Sequence, residues 1–191
     1  MTSPRVAERI VRWSLRDGAA LVLSALLAGC AAQAPADLRP AQAPLCAVYF
    51  SPNGGCTGEV VKAIDAAKNR ILVQAYSFTS EPIAQALIAA HRRGVRVEVL
   101  LDKSQATDRR SSAAGLAEAG VPLEIDRAHA IAHNKVMIID GQTVLTGSFN
   151  FTESAERRNA ENLLVLQDRA LAEQYAANWE THRAHSQPYR P

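Results

Sequence analysis

The chain has 191 residues, of which 48% are hydrophobic and 21% are charged, and its formal net charge at pH 7 is +2. Beyond residue 29 the chain holds 17 basic and 17 acidic side chains and is formally neutral. This balance argues against a protein that binds nucleic acid through a globally basic surface.

The first 30 residues predict a signal peptide rather than part of the fold. Four arginines precede an apolar run from Ala19 to Leu27, which is far shorter than the roughly 20 residues that a membrane-spanning helix needs. The run closes on Leu-Ala-Gly-Cys, which resembles a bacterial lipobox in which Cys30 is lipidated and becomes the first residue. Cleavage after residue 34 is the alternative, although Pro35 makes that site poor. Either cleavage site predicts that the protein is exported, to the periplasm or to the outer membrane as an anchored lipoprotein.

The next segment, residues 31–44 (AAQAPADLRPAQAP), is rich in Ala and Pro and has no apolar period. Such a composition predicts an extended tether. The 147 residues from 45 to 191 are enough for one domain with a sizeable core and too few for two. The predicted organisation is therefore a signal peptide at 1–30, a linker at 31–44 and one folded domain at 45–191.

Two cysteines, Cys46 and Cys56, fall inside the predicted domain. An even pair in an exported protein favours a disulfide, which would stabilise the fold by roughly 3 kcal/mol in the chain-entropy model. Metal binding is the alternative, but no histidine lies near the pair in the sequence. We therefore predict a Cys46–Cys56 disulfide.

Apolar periodicity predicts strands that alternate with helices along the domain. Strands are predicted at 47–50, 71–78, 95–102, 121–125, 136–139, 143–146 and 163–166, and helices at 58–69, 81–93, 111–119 and 170–185. This alternation indicates an α/β domain whose central sheet is covered on both faces. The close spacing of strands 136–139 and 143–146 indicates a mixed rather than an all-parallel sheet.

The stretch 131–150 (IAHNKVMIIDGQTVLTGSFN) carries the side chains that are best suited to catalysis. His133 and Lys135 are two residues apart, so an extended chain would place the imidazole and the ammonium on one face. An apolar run, an Asp-Gly turn and a second apolar run follow, which predicts a hairpin. The hairpin would return Ser148 and Asn150 to the neighbourhood of His133 and Lys135.

These residue types suit attack on a phosphodiester. The charge of Lys135 favours the neutral, nucleophilic form of the His133 imidazole and attracts an anion. Ser148 and Asn150 donate hydrogen bonds, which suits a transition state that accumulates charge on the non-bridging oxygens. No cluster of Asp, Glu and His at metal-ligand spacing surrounds these residues in the sequence, so we predict chemistry without a metal or another cofactor.

The spacing of these residues resembles the HKD motif of the phospholipase D superfamily. The motif stands here without gaps as His133, Lys135, Asp140, Gly147, Ser148 and Asn150. Glu161 lies where the family places a carboxylate after the motif. The surrounding sequence, with AYSFTS before the motif and GSFNFT within it, is similar to that of the single-motif bacterial endonucleases of that superfamily. The resemblance implies a layered α/β/α phospholipase D-like fold around a central mixed sheet.

The resemblance also implies a mechanism. His133 would attack phosphorus to give a covalent phosphohistidine, and a second motif histidine would protonate the departing oxygen and then activate water. The chain has one motif, so we expect a homodimer in which His133 of each subunit faces the other across a two-fold axis. Both copies of Lys135 and Asn150 would then hold the same phosphate.

The two carboxylates of the motif have different expected roles. The resemblance implies that Glu161 accepts a proton from the other ring nitrogen of His133 and so orients the imidazole. A surface salt bridge to Arg157 or Arg158 is the alternative. Asp140, at a strand end beside a glycine, most simply caps the turn, so we include it in the catalytic motif with a structural role.

Aromatic and polar neighbours complete the expected site. Phe149 and Phe151 flank Asn150 with the opposite parity, which predicts that they pack in the core rather than stack on bases. Three residues at the end of the predicted strand 71–78 are placed at the pocket mouth: Tyr76, Ser77 and Thr79.

The leading functional hypothesis is an exported, dimeric phosphodiesterase that cleaves nucleic acid with little sequence preference. The short single-motif chain and its similarity to the endonucleases support it, as do basic clusters at His91-Arg92-Arg93 with Arg96, at Arg109-Arg110 and at Arg157-Arg158. Each cluster alone is a solvated helix end or loop. Only a face shared with His133 would make the clusters a phosphate-binding groove.

Two alternatives compete with this hypothesis. A phospholipase D that acts on glycerophospholipids such as phosphatidylcholine would be well placed on a lipid-anchored tether. The domain has no long insertion for an acyl-binding lid, which favours the nuclease. A binding module with a retired active site predicts the loss of His133, Lys135 or Asn150, and all three are present.

Overall fold

The computed structural model describes residues 45–190. Its strands are β1 (Leu45–Ser51), β2 (Arg70–Ala75), β3 (Arg96–Asp102), β4 (Leu123–Asp126), β5 (Lys135–Ile139), β6 (Thr143–Gly147), β7 (Glu161–Gln167) and β8 (Gln187–Pro188). Its helices are α1 (Cys56–Ala66), α2 (Glu81–Arg92), α3 (Ala113–Glu118), α4 (Glu153–Arg157) and α5 (Arg169–Arg183), with a 3₁₀ turn at Lys103–Ala106. The predictions for the signal peptide, Cys30 and the linker lie outside the described residues.

The eight strands form one mixed sheet in the order β1-β7-β6-β5-β2-β3-β4-β8. β2, β3 and β4 run parallel because α2 and α3 carry the chain back between them. β5 pairs antiparallel with both β2 and β6, and β7 pairs antiparallel with both β6 and β1. The predicted mixed sheet is confirmed.

Helices cover both faces of the sheet, as the layered α/β/α prediction requires. Side chains alternate along β2, so Ile71 and Val73 pack in the core beneath α1, α2 and α3, while Leu72 packs beneath α5. Trp179 of α5 is buried in the second core, and its indole N–H donates a 2.9 Å hydrogen bond to the Val73 carbonyl. Within residues 45–190, no helix combines the length and the apolar character that crossing a membrane requires.

Asp140 ties the β5–β6 turn to the start of β2. Its carboxylate accepts hydrogen bonds from the backbone N–H groups of Lys68, Asn69 and Arg70 at 2.8–2.9 Å. Burial opposes ionisation, but these three donors outweigh it and lower the pKa of Asp140 below its usual range. Asp140 has a φ of 53°, a left-handed conformation that Asp tolerates better than most residues. It therefore acts in the scaffold, at the end of β5 remote from Lys135.

The structure corrects the predicted disulfide, because Cys46 and Cys56 are both free. Cys46 lies with Val48 and Phe50 on the exposed face of β1. Cys56 begins α1 and is fully buried in the core under the opposite face. β1 therefore separates the two thiols, which cannot approach each other. Burial, followed by the nearby charge of Glu156, raises the pKa of Cys56 to about 11.

Candidate active site

A cavity of about 620 Å³ opens where β2, β3 and β4 end and β5 begins, which we call the pocket end of the sheet. It brings together five of the six side chains that the sequence placed in the catalytic set. The cavity is lined by His133, Lys135, Ser148, Asn150 and Glu161, with Asn134, Val136, Thr146, Gly147, Tyr175 and Asn178. Asp140, the sixth, is not among the lining residues.

Strand register explains why these residues meet. Val136 of β5 pairs with Thr146 of β6, so the segment after Gly147 returns beside the start of β5. Gly147 pairs in turn with Leu163 of β7, which brings Glu161 to the same end of the sheet. The predicted hairpin is therefore correct, and β7 supplies the third side of the pocket.

His133 and Lys135 are joined through their backbone and through Tyr76. The Lys135 ammonium donates a 2.7 Å hydrogen bond to the His133 main-chain carbonyl and lies 5.1 Å from the Tyr76 ring centroid. The His133 and Tyr76 ring centroids are 4.6 Å apart. Lys135 is 7% exposed, and this burial lowers the pKa of its ammonium, while the charge of Glu161 acts in the opposite direction. The arrangement sets an exposed imidazole beside a buried cation.

The Gly-Ser-x-Asn segment is shaped by a close backbone approach. Gly147 has a φ of 152°, and a Cβ at this position would collide with the Asn162 carbonyl oxygen. The Asn162 N–H donates a 3.1 Å hydrogen bond to Ser148 Oγ. The side-chain oxygen of Asn150 is buried and has no hydrogen-bond partner within the described chain. Such an atom costs about 1–3 kcal/mol of stability until a donor reaches it.

Glu161 lines the cavity, but its hydrogen-bond partner is a neighbouring amide rather than the imidazole. Its carboxylate accepts a 3.0 Å hydrogen bond from the Asn159 side-chain amide. Arg157, one of the two salt-bridge partners considered as the alternative with Arg158, pairs instead with Glu153 at 3.3 Å. Glu161 is thus a carboxylate of the pocket whose role in orienting His133 stays a prediction.

Aromatic packing holds the backbone around Asn150. Phe149 and Phe151 are both fully buried, as predicted from their parity. Phe151 meets Phe78 edge to face, with ring centroids 6.0 Å apart. The two phenylalanines belong to the core, so Asn150, which lies between them, is the residue of this segment that lines the pocket. Tyr76 contacts His133 and Lys135. Like Ser77 and Thr79, which were also placed at the pocket mouth, it is not among the lining residues of the cavity.

The basic clusters divide between the two ends of the sheet. The cluster at residues 91–93 and Arg96 ends α2 and begins β3, at the end of the sheet remote from the pocket. There Arg96 pairs with Glu98 at 2.9 Å. The pair at 109–110 lies between β3 and α3, and the pair at 157–158 lies at the end of α4. Both are at the pocket end, and all four side chains are exposed. Two of the three clusters therefore share an end of the sheet with His133.

A second group of ionisable side chains, which the sequence analysis missed, converges beside β4 at the pocket end. It consists of Asp126, His129, His182 and His185, whose ligand atoms all lie within 4.8 Å of one another. The only signals in the sequence were the i, i+3 spacings of Asp126 with His129 and of His182 with His185. Nothing in the sequence indicated that two segments so far apart in the chain would meet.

Within one chain, the pocket can bind an anion and attack it but cannot complete an acid–base cycle. The Lys135 charge and the neutral donors of Ser148 and Asn150 suit the oxygens of a phosphate. His133 is the one imidazole among the lining residues of the pocket. In-line displacement at phosphorus needs a base or nucleophile on one side and an acid on the other.

Comparisons with known proteins agree with this geometry. Residues 60–183 match the family model described as "Cardiolipin synthase, PLD-like domain". The chain is 46% identical over 135 residues to a phospholipase D of Rickettsia felis, covering 71% of this chain and 68% of that protein. It is 35% identical over 127 residues to a mitochondrial cardiolipin hydrolase of Xenopus laevis, covering 61% of this chain and 60% of the relative.

Solved structures show the same architecture. The phospholipase D family member Nuc from Salmonella typhimurium superposes with a TM-score of 0.74 at 42% identity, covering 78% of this chain and all of that one. NucT from Helicobacter pylori superposes with a TM-score of 0.71 at 20% identity over 77% of this chain, which supports the fold alone. A family model that matches more than half of the residues, a close sequence relative and a shared fold lead to one conclusion: this chain is a phosphodiesterase of the phospholipase D superfamily.

Proposed function

We propose that the protein is an exported endonuclease that hydrolyses nucleic-acid phosphodiester bonds, without a catalytic metal, in a site shared by two copies of the chain. The observation that carries this proposal is the pairing of one exposed imidazole, His133, with the buried ammonium of Lys135 in a polar, open cavity. That set of groups binds a phosphate and attacks it, and it lacks only a second imidazole.

The reaction proceeds in two displacements. A ring nitrogen of His133 forms a bond to phosphorus while the bond from phosphorus to the leaving oxygen breaks, and His133 of the second subunit protonates that oxygen. The second imidazole then takes a proton from water, the resulting hydroxide attacks phosphorus, and the bond between nitrogen and phosphorus breaks. Lys135, Ser148 and Asn150 hold the non-bridging oxygens in both steps. Glu161 orients the imidazole by accepting a hydrogen bond from its other ring N–H.

Exposed apolar side chains support a homodimer. Val48 and Phe50, on the face of edge strand β1, are 47% and 63% exposed, and Ile131, two residues before His133, is 55% exposed. α5 packs on β2, β4, β5 and β6, so it leaves this face of β1 open. A second copy that covered these residues would approach the pocket from the side that bears His133. It could also bring a donor to the Asn150 side-chain oxygen.

The charge distribution favours nucleic acid over lipid. The exposed arginines at 109–110 and 157–158 lie at the pocket end of the sheet, where they can follow a phosphate backbone. Among residues 45–190, the longest connection without helix or strand is 127–134, with eight residues, which is short for a lid over acyl chains. For export, we propose cleavage within the first 30 residues and lipidation of Cys30, with residues 31–44 as a tether in the periplasm or at the outer membrane.

A phospholipase D that hydrolyses glycerophospholipids such as phosphatidylcholine is the second candidate. The specific observation in its favour is the Rickettsia relatives named phospholipase D, which are 44–48% identical to this chain. The pocket binds the phosphodiester and does not by itself distinguish the groups attached to it.

The test is incubation of the purified protein in EDTA with plasmid DNA and, separately, with phosphatidylcholine vesicles. We expect nicking and fragmentation of DNA that persists in EDTA and disappears in His133→Ala. His91→Ala is the matched control, because His91 lies on α2 at the other end of the sheet, and it should cleave like the wild type. Choline release without DNA cleavage would establish the second candidate instead. Loss of all activity in EDTA at a temperature where the protein stays folded would overturn the metal-free mechanism.

Subunit sharing is tested by mixing active and inactive chains. Sedimentation should show a dimer, and His133→Ala mixed with wild-type chains should form heterodimers that lack one of the two imidazoles. Activity should then be proportional to the fraction of wild-type homodimers rather than to the fraction of wild-type chains. A linear dependence on wild-type chains, or a fully active monomer, would contradict the shared site.

A further inference from the structure

Four side chains beside β4 have the chemistry of a transition-metal site that is separate from the phosphate pocket. We propose that Asp126, His129, His182 and His185 bind one divalent cation of the zinc type, which clamps the end of α5 to the connection that carries His133. Three imidazoles and one carboxylate are a ligand set that zinc accepts, and four protein ligands without an open position are typical of a structural site.

The distances fit a small tetrahedral ion. Asp126 Oδ2 lies 3.1 Å from His129 Nδ1, 2.8 Å from His182 Nδ1 and 3.3 Å from His185 Nε2. Ligand atoms bonded to zinc at 2.0–2.1 Å stand about 3.4 Å apart in a tetrahedron. Asp126 Oδ2 is therefore close to the spacing that the ion requires from each ring nitrogen. All four ligand atoms lie within 4.8 Å of one another, so side-chain rotations that shift the nitrogens by about 1 Å would adjust them around a central ion.

The rings converge without stacking. The centroid of His129 lies 4.8 Å from that of His182 and 5.1 Å from that of His185, and His182 and His185 are 5.5 Å apart. The interplanar angles of 39°, 56° and 67° show that no two of the rings lie face to face. One nitrogen of each ring lies within 3.3 Å of Asp126 Oδ2, so the three nitrogens converge on one carboxylate oxygen.

Burial and backbone anchoring also suit a bound ion. Asp126 is 1% exposed, and the Ala128 N–H holds its second oxygen at 3.0 Å. A hydrogen-bonded ligand carboxylate of this kind is common around metals. The side chains of His129 and His185 are 45% and 34% exposed, so an ion can reach the site from solvent.

The backbones of two of the histidines are held as well. The His129 carbonyl accepts a 3.0 Å hydrogen bond from the Lys103 ammonium. The His182 carbonyl accepts a 2.9 Å hydrogen bond from the Ser186 hydroxyl. These contacts keep the ligands in place before an ion arrives, which lowers the entropic cost of binding.

The position of the site gives the ion a structural role. His129 precedes His133 by four residues in the connection 127–134, whereas His182 lies in the last turn of α5 and His185 follows that helix. β4 is three strands from β5 in the sheet, which corresponds to roughly 14 Å at 4.8 Å per strand. An ion there would not touch the phosphate, and it would limit the motion of the segment that presents His133.

The experiment uses the full chain without an affinity tag, stripped with chelator and then dialysed against zinc. We expect elemental analysis to find one zinc per chain, the Tm to rise by several degrees, and Co²⁺ to give the intense visible absorption of a tetrahedral complex. His185→Gln, a substitution at a partly exposed position, should fold normally and weaken zinc binding by more than the roughly 10–100-fold that loss of an outer-shell partner costs. His182→Ala should abolish the cobalt spectrum.

His91→Gln is the matched control, since it removes a histidine outside the group and should bind zinc like the wild type. Absence of retained zinc, or equal zinc binding by the wild type, His91→Gln, His185→Gln and His182→Ala, would overturn the proposal and leave the four residues as a hydrogen-bonded cluster only. Zinc content, Tm and the cobalt spectrum do not depend on catalysis. Failure of the metal site is therefore distinguishable from failure of the proposed endonuclease.

Discussion

The Lys135 ammonium donates a 2.7 Å hydrogen bond to the main-chain carbonyl of His133. The Lys135 side chain thus folds back on the backbone, while the imidazole and the ammonium both lie beside the Tyr76 ring. His133 itself precedes β5, which begins at Lys135. The separation between the imidazole and the cation thus depends on this short local bond and on the Tyr76 ring that both contact.

Tyr76 should position the imidazole through its ring rather than its hydroxyl. Replacement by Ala removes the surface that contacts both His133 and Lys135. We expect kcat for a simple phosphodiester to fall by about 100-fold, the loss that a displacement of roughly 1 Å can cause. Tyr76→Phe keeps the ring and should retain nearly full activity. Equal losses in the two variants would show that the hydroxyl, not the packing, matters.

Asp140→Ala should destabilise the fold without entering the pocket. It removes a charged acceptor of three backbone N–H groups and places Ala at a positive φ, so we expect a loss of about 3 kcal/mol in the free energy of unfolding. Asp140→Asn is the control, because Asn tolerates the left-handed conformation and keeps one acceptor oxygen. Asp140→Asn should therefore lose less unfolding free energy than Asp140→Ala. Urea denaturation measures both, and an unchanged midpoint for Asp140→Ala would contradict the role assigned to this residue.

The same carboxylate predicts a pH dependence. The pKa of Asp140 is lowered in the folded state, so its stabilisation is complete above the unfolded-state pKa of about 3.9. It is lost as pH falls through the lower folded-state pKa. The stability difference between the wild type and Asp140→Asn should therefore be constant near neutral pH and shrink in acid. A difference that grew as pH fell would have the wrong sign for this carboxylate.

Gly147→Ala should be far more costly than an ordinary Gly→Ala change. The added Cβ would collide with the Asn162 carbonyl in a backbone conformation that favours glycine. We therefore expect the free energy of unfolding to fall by at least about 2 kcal/mol. Activity should fall as well, because Ser148 and Asn150 follow directly. Gly115→Ala, in α3 with open space around the added methyl group, should be neutral or stabilising by up to about 1 kcal/mol. Thermal unfolding of the two variants compares them directly, and similar Tm values would exclude the predicted collision.

The two thiols should differ in reactivity. Cys46 is exposed, whereas Cys56 is buried with a pKa raised to about 11, so alkylation under native conditions without reductant should label Cys46 and leave Cys56 unmodified. Unfolding in denaturant should then expose Cys56 to the reagent. Peptide mapping by mass spectrometry gives both results. If neither thiol reacted in denaturant until a reductant was added, the pair would be oxidised and the disulfide expected from the sequence would be present after all.

The sequence alone was sufficient where structure follows from neighbouring residues. Apolar periods predicted the hairpin of β5 and β6 and the helices α2 and α5, since each buries a face that repeats within a few residues. The parity of Phe149 and Phe151 predicted their burial for the same reason. The motif spacing predicted which polar residues return to one place, because a short hairpin leaves little freedom of register. α4 and β8 were missed because five and two residues are too few to show a period.

Tertiary structure decided everything that depended on which surfaces meet. Two cysteines close in sequence proved to be separated by β1, with Cys46 on its exposed face and Cys56 in the core under the other. His182, by contrast, joined Asp126 from 56 residues away at 2.8 Å. Arg157 paired with Glu153 rather than with Glu161, a choice among equally plausible local partners. The order of the strands in the sheet sets which segments become neighbours, and this order arises from the packing of the whole core rather than from any local pattern of residues.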